Sequence, residues 1–309
     1  MRSCKQCFIN EGTTLINDLF SSEQSAIKTN FKITKISLND EMLCNYCELY
    51  NKNYNYEYIE EELLNFIYTK DKNKIHCIVA VSGGKDSLTA LYLAVKVLKL
   101  NVLAVTYDNG FIPKNVIEQT NKICEKLNVE YIVKKRTLYD EFKSEYKKNK
   151  DGIWEAQTGI DFCQICSKHI GKEIETIALE RSVFKVILGN KIYTSLEPYV
   201  SSIKRFNSNN ENEFSYINLL FAMKVDKSTQ QDILKELNWE DPKLEGYTSN
   251  CLVPGFVEFA RKSKNLSNSD AGYIETELRS GAYTKEEAQS LLSKKDYKDY
   301  SKELDIFFK

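Results

Sequence analysis

Residues 78–87 read Ile-Val-Ala-Val-Ser-Gly-Gly-Lys-Asp-Ser, and the fold turns on this stretch. Four apolar residues, Ile78 to Val81, suit a strand buried on both faces of a parallel sheet. Leu88 to Leu100 follows with apolar residues at helical spacing. The hexapeptide between them, Ser82-Gly83-Gly84-Lys85-Asp86-Ser87, is therefore a strand–turn–helix junction. Gly83 and Gly84 permit close backbone approach and unusual dihedrals, and the helix start offers unpaired N–H groups to an anion. Ser82 and Ser87 add hydroxyl donors, Lys85 adds a cation, and Asp86 adds a carboxylate able to hold magnesium beside phosphates. The G-x-x-x-x-G-K-[ST] spacing of the Walker loop is absent.

Outward from this loop, strand and helix patterns alternate. Strands are expected at 75–81, 102–107, 129–134 and 183–188, with helices at 87–99, 114–127, 138–148 and 167–181. Such alternation implies right-handed βαβ units, hence an α/β fold with a doubly wound parallel sheet. Ligands of these sheets bind at the carboxyl ends of the strands. Ser82, Tyr107-Asp108-Asn109 and Gly189-Asn190 are therefore expected around one crevice. An amphipathic helix at Tyr56–Tyr68 leads into this region, and residues 190–253 are less regular, with a helix near Ser228–Leu237. The tail reads as helices at Gly255–Lys264, Asp270–Arg279 and Lys285–Lys294, the last capped by Thr284 with Glu286 and Glu287 in its first turn. The chain divides into a zinc-knuckle module at 1–53, a nucleotide domain at 54–253 and a helical C-terminal region at 254–309. A strand-like patch, Phe31 to Ser37, lies inside the first of these.

Nine cysteines in a chain of 309 residues point to metal or redox chemistry rather than a disulfide framework. Cys4-x2-Cys7 and Cys44-x2-Cys47 supply four thiolates, which satisfy tetrahedral zinc with no open position. The 36 residues between Cys7 and Cys44 exceed the usual zinc-ribbon loop, but closing a longer loop costs little. A second set, Cys163-x2-Cys166, lies just before the fourth helix of the nucleotide domain, and Cys251 stands alone further on. A C-x2-C that opens a helix sits where the dipole lowers thiol pKa, which suits a nucleophilic or metal-bound thiolate. Three thiolates can hold a [4Fe-4S] cluster with one iron open, or two of them can pass sulfur through a persulfide. His169 offers a zinc alternative at the same place. Cys77 and Cys124 fall within apolar patterns and read as core.

Lys and Arg number 43 against 44 Asp and Glu, leaving a net charge of −1, so no global basic field marks a nucleic-acid binder. The four lysines of residues 143–150 read as a solvated helix face. Met1-Arg2-Ser3-Cys4 lacks the apolar core of a signal peptide, and no run approaches the length of a membrane span. A cytoplasmic protein with no membrane partner is expected; a homodimer is admitted.

The Ser82–Ser87 loop resembles the PP-loop of the N-type ATP pyrophosphatases, which cleave ATP between the α and β phosphates. That resemblance implies an adenine nucleotide α-hydrolase-like sheet. ATP and magnesium would be held by Ser82, Gly83, Gly84, Lys85, Asp86 and Ser87, with Tyr107, Asp108 and Gly189 beside the nucleotide. A PP-loop followed by C-x2-C and one later cysteine is similar to the tRNA thiolases. By that likeness Cys163, Cys166 and Cys251 would ligate an iron-sulfur cluster and, with Asp86, do the chemistry. Those families carry a Gly-His where this chain has Gly189-Asn190-Lys191.

Both chain ends resemble a second family, the N-acetyl-sugar amidotransferases of polysaccharide synthesis. These begin with C-x2-C…C-x2-C and end in a Ser-Gly-x-x-Thr-x-Glu-Glu-Ala pattern, as in Ser280 to Ala288 here. The first expectation is thus an ATP-dependent sulfurtransferase that adenylates an acceptor oxygen and replaces it with sulfur. The second is an amidotransferase fed with ammonia by a partner glutaminase, and the third a non-catalytic ATP-binding zinc protein. The acceptor is a tRNA on the first reading and a small molecule or nucleotide sugar on the second.

Overall fold

The computed structural model describes residues 2–12, 35–68, 74–148, 159–207, 212–245, 250–262, 271–293, 298–300 and 302. Two short helices, α1 (Asn45–Asn53) and α2 (Tyr56–Ile67), precede β1 (Cys77–Ala80). There follow α3 (Lys85–Tyr92), β2 (Val102–Asp108), α4 (Lys114–Leu127), β3 (Glu130–Lys135), α5 (Tyr139–Lys148), α6 (Gly159–Arg181) and β4 (Lys185–Leu188). The hairpin β5 (Ile203–Asn207) and β6 (Glu213–Asn218) leads to α7 (Leu219–Ala222) and α8 (Lys227–Leu237). Three tail helices complete the described chain: α9 (Val253–Lys262), α10 (Ala271–Arg279) and α11 (Lys285–Ser293).

The strands form one sheet of order β3-β2-β1-β4-β6-β5, parallel except for β5, which pairs antiparallel with β6. The expected α/β, doubly wound architecture is thus what the chain adopts, with an antiparallel edge added. Chain order reverses between β1 and β4, the switch point where such sheets open a crevice. Period-two alternation assigns each face its core. Cys77, Val79, Val102 and Ala104 pack with α2, α3, α4 and α8, whereas Ile78, Leu103, Val105 and Val186 pack under Ile174, Ile177 and Ala178 of α6. Cys77 and Cys124 are core, as their apolar setting implies.

Several boundaries differ from the sequence reading, each for a local reason. The helix expected at 87–99 begins at Lys85, so Lys85 and Asp86 belong to its first turn, and it relaxes into a π-helical turn at Leu93–Val97. The helix expected at 167–181 opens at Gly159, so Cys163 and Cys166 lie inside it rather than before it. Residues 190–253 are more regular than expected. Phe206, Phe214 and Tyr216 alternate with polar residues on the β5–β6 hairpin and stack on one another. Phe31 to Thr34 and the far ends of the expected tail helices lie outside the described residues. No helix among the described residues is long and apolar enough to cross a membrane.

Gly189, just past β4, is the tightest backbone contact of the crevice: a Cβ there would stand 2.6 Å from the Ser87 backbone nitrogen. Because that neighbour is backbone, nothing can swing aside. Gly189→Ala is expected to cost about 1–3 kcal/mol by overpacking, read as a lower urea midpoint with unchanged m-value. A midpoint equal to the parent's would contradict this packing.

Candidate functional site

The loop after β1 is built by its own side chains. Ser87 Oγ accepts from Ser82 N at 3.1 Å, lies 3.2 Å from Ser82 Oγ, and donates to Gly84 O at 3.1 Å. Both serines therefore close the turn. Gly84 is the N-cap of α3 and has no side-chain cap, which leaves the first N–H groups of the helix for an anion. Gly83 has φ +83° and packs so closely on α4 that a Cβ would meet Val116 Cγ1 at 2.5 Å. Only glycine meets both demands. The Trp239 indole donates to Gly83 O at 3.2 Å, fixing the loop from beyond α8.

Asp86 is positioned by two neighbours. Lys85 Nζ stands 2.6 Å from Oδ2, and Gln230 Nε2 donates to Oδ1 at 2.8 Å. Gln230 is in turn held by Lys191 Nζ, which donates to its Oε1 at 2.9 Å. Burial lowers the Lys191 pKa, and Asp86 opposes that shift. A half-exposed carboxylate at the start of a helix whose N–H groups are free suits a magnesium ion carried by a nucleotide. At the end of β2, Asp108 Oδ1 accepts from Gly110 N at 2.9 Å. Tyr107 is buried, and its hydroxyl has no partner among the described residues. Ser82, Asp86, Asp108 and Gly189 thus border the reversal between β1 and β4 and its neighbour β2.

Cys4, Cys7, Cys44 and Cys47 converge: their sulfurs all lie within 4.8 Å of one another and all four residues are buried. Cys44 N donates to Cys4 Sγ at 3.3 Å and Cys47 N to Cys44 Sγ at 3.4 Å, as backbone knuckles around a metal do. Hydrogen bonds among the four sulfurs lower the Cys4 pKa and raise those of Cys7 and Cys47, as in a cluster whose thiols share protons. Arg279, the last residue of α10, donates Nε to Cys47 Sγ and Nη2 to Cys7 Sγ, each at 3.4 Å. It also donates Nη1 to Tyr193 Oη at 2.7 Å and lies over the Tyr46 ring. Burial opposes this charge, but Tyr193 and the cysteine sulfurs more than offset it, so the guanidinium stays ionised. Four thiolates around a divalent ion carry net negative charge, and a buried arginine neutralises part of it. The donor set fits a closed, structural metal site.

The central cysteines behave differently. Cys166 and Cys251 meet around the Asn109 amide, whose Nδ2 donates to them at 3.4 and 3.7 Å. Asn109 Oδ1 accepts from Phe111 N at 2.9 Å, so the amide is locked. Cys163 is exposed, and these three do not form a compact metal-ligating set among the described residues. Neither does His169 join one, and burial lowers its pKa. The expectation that a helix dipole lowers these thiol pKa values is corrected. Both residues of the C-x2-C are inside α6, and burial pushes Cys166 up to about 12. Burial likewise raises Cys251.

Gln230, Lys191, Trp239 and Arg279 were not singled out from the sequence. Gln230 reaches Asp86, Trp239 reaches Gly83 and Arg279 reaches Cys47 each across more than a hundred residues of chain, and Lys191 reaches Gln230 across 39. Nothing local in the sequence marks them.

Residues 56–160 match the NAD synthase family model. The chain is 30% identical over 245 residues to the uncharacterized protein MJ1599 of Methanocaldococcus jannaschii, covering 78% of this chain and 81% of that protein. Among solved structures, NMN synthetase from Francisella tularensis superposes with TM-score 0.39 at 12% identity, covering 82% of this chain and 96% of that one. Phosphoadenylyl-sulfate reductase from Candida auris gives TM-score 0.37 at 17% identity, covering 66% and 90%.

The thiol environments predict an order of reactivity. Iodoacetamide at neutral pH is expected to label exposed Cys163 first, and partly buried Cys166 and buried Cys251 at least about tenfold more slowly, because burial raises the pKa of both and limits access to them. Peptide mapping by mass spectrometry reads this. Equal labelling of Cys163 and Cys166 would contradict the burial.

Proposed function

The chain belongs to the same family as the Methanocaldococcus jannaschii protein and carries an NAD-synthase-like PP-loop domain; from that premise we propose that it is an ATP-dependent amidotransferase. Its acceptor is an N-acetyl group on a nucleotide-linked sugar. The observation that carries the choice of nitrogen over sulfur is the state of the central thiols. Cys251 is buried and Cys166 partly buried, burial raises the pKa of both, both are tied to one amide, and Cys163 joins them in no compact metal-ligating set among the described residues. Thiols so placed are poor carriers of sulfur. The chain ends that resemble the amidotransferases, in contrast, meet each other. Arg279 reaches Cys7 and Cys47, and Ser280 Oγ donates to Lys191 O at 2.9 Å beside the loop.

The chemistry proceeds in two displacements. The acceptor carbonyl oxygen attacks the α-phosphorus of ATP, and the bond to the bridging oxygen breaks to release pyrophosphate. The Ser82–Ser87 loop, its helix N-terminus and Lys85 stabilise the charge that collects on the leaving group. Asp86 would hold a magnesium ion brought by the nucleotide, which would add charge neutralisation at the phosphates. Ammonia then attacks the activated carbon, and AMP departs with the former carbonyl oxygen, leaving C=NH. A glutaminase partner is the proposed source of ammonia. Zinc at Cys4, Cys7, Cys44 and Cys47 is the proposed structural metal; it takes no part in the displacements.

A specific observation keeps sulfur transfer as the second reading: Cys166 and Cys251 lie side by side at Asn109, next to the end of β2. The two are separated by incubating the purified protein with ATP, magnesium, a panel of nucleotide-linked N-acetyl sugars, and either ammonium or sulfide. Pyrophosphate release and acceptor mass are read. Ammonium-dependent release with an amidine product, retained in Cys166→Ala, is expected. Sulfide dependence that is lost in Cys166→Ala and Cys251→Ala would instead establish the second reading. On either reading Asp86→Asn is expected to slow pyrophosphate release about 100-fold or more, and normal release in that variant would sink the assignment of the loop.

A further inference from the structure

The cysteine site and the loop are joined by a continuous set of hydrogen bonds. Arg279 binds the sulfurs of Cys7 and Cys47 and, through Nη1, the hydroxyl of Tyr193. Its neighbour Ser280 donates to the backbone oxygen of Lys191 at 2.9 Å. The segment after β4 is thus clamped at Lys191 and at Tyr193 by adjacent residues of one helix end. Lys191 Nζ then donates to Gln230 at 2.9 Å, and Gln230 donates to Asp86 at 2.8 Å. Gln230 is buried and its amide also reaches Thr89 Oγ1 at 3.4 Å, so it has little freedom to reorient.

From this we infer that the four-cysteine centre positions the pyrophosphate loop, with Arg279, Ser280, Lys191 and Gln230 as positioning residues that set the Asp86 carboxylate. The physical cause is the anchor of Arg279, which is buried and donates to the sulfurs of Cys47 and Cys7. A cation held by the four cysteines fixes those sulfurs about one centre. When the cation leaves, the sulfurs lose that centre, the guanidinium loses its fixed acceptors, and the end of α10 shifts. Movement of α10 releases Lys191 and Tyr193 together, and Gln230 loses the donor that orients it. Occupancy at the cysteines and binding of magnesium nucleotide at the loop therefore assist each other. Because such coupling is reciprocal in free energy, it is readable from either end. The inference rests on reading Ser82–Ser87 as the ATP loop with Asp86 on magnesium.

The test uses the full chain with its metal as purified. Release of that metal to a chromophoric chelator is timed with and without magnesium-ATP, and nucleotide binding is measured separately by calorimetry. Magnesium-ATP is expected to slow metal release at least about fivefold, the lower end of ordinary allosteric coupling. Lys191→Met and Gln230→Leu, which leave the cysteines and Arg279 in place, are expected to retain the metal, bind ATP more weakly, and abolish the slowing. The indole of Trp239, bonded to Gly83, reports the loop directly. In a Trp154→Phe background its emission is expected to shift on metal removal in the parent and not in Lys191→Met. Nucleotide binding with no effect on metal release, or coupling unchanged in both variants, would overturn the inference alone. No binding of magnesium-ATP to the parent would remove the reading of the loop and the inference with it. Should Lys191→Met fail to fold, Gln230→Leu carries the same test.

Discussion

The end of β4 runs against the first turn of α3, and the rest of the site depends on that approach. Gly189 lies where a Cβ would touch the Ser87 backbone at 2.6 Å, so β4 can reach the loop only without a side chain. The approach closes one wall of the crevice at the β1–β4 reversal. It also fixes where the chain goes next. Lys191 arrives beside Gln230 and Asp86, and Tyr193 arrives beside Arg279. Loop, strand end and tail helix are consequently organised around one backbone contact.

Two sites of different character share this framework. The loop leaves backbone donors available: its serines satisfy the turn, and the uncapped N-terminus of α3 presents its first N–H groups, with Lys85 paired to Asp86 beside them. The cysteine centre is the opposite, a closed donor set in which every sulfur is buried and an ionised arginine supplies compensating charge. Open donors suit a substrate that arrives and leaves; closed donors suit a resident metal. The tail pattern around Ser280 to Ala288 has a physical reading as well. Thr284 and Glu287 form a reciprocal capping box, Thr284 N donating to Glu287 Oε2 at 3.0 Å and Glu287 N to Thr284 Oγ1 at 3.2 Å. The box starts α11, and Ser280 ties the preceding turn to Lys191.

What was legible in the sequence was what is encoded locally. The loop hexapeptide, the boundaries of α4 at Lys114 and Leu127, and the two cysteine knuckles each announce themselves within a few residues. The β5–β6 hairpin did not, because Ile203 to Asn207 carries two cations in five positions and reads as a solvated segment. It is an edge pair whose strands alternate only briefly. The sequence reading begins α6 at residue 167, whereas the helix begins at Gly159, so both cysteines of the C-x2-C lie within it and the lowered thiol pKa expected at a helix start does not arise. Arg279, Lys191 and Gln230 were illegible for a different reason. Their roles come from which strand end meets which helix end, and no local pattern carries that.

The central claim is that an acceptor oxygen attacks the α-phosphorus of ATP at the Ser82–Ser87 loop. It is tested most directly by running the reaction with an acceptor labelled with oxygen-18 at the reacting carbonyl, and locating the label by mass spectrometry. The account predicts the label in AMP, with pyrophosphate unlabelled and the product free of it. Label retained in the product, or AMP without it, would contradict the account.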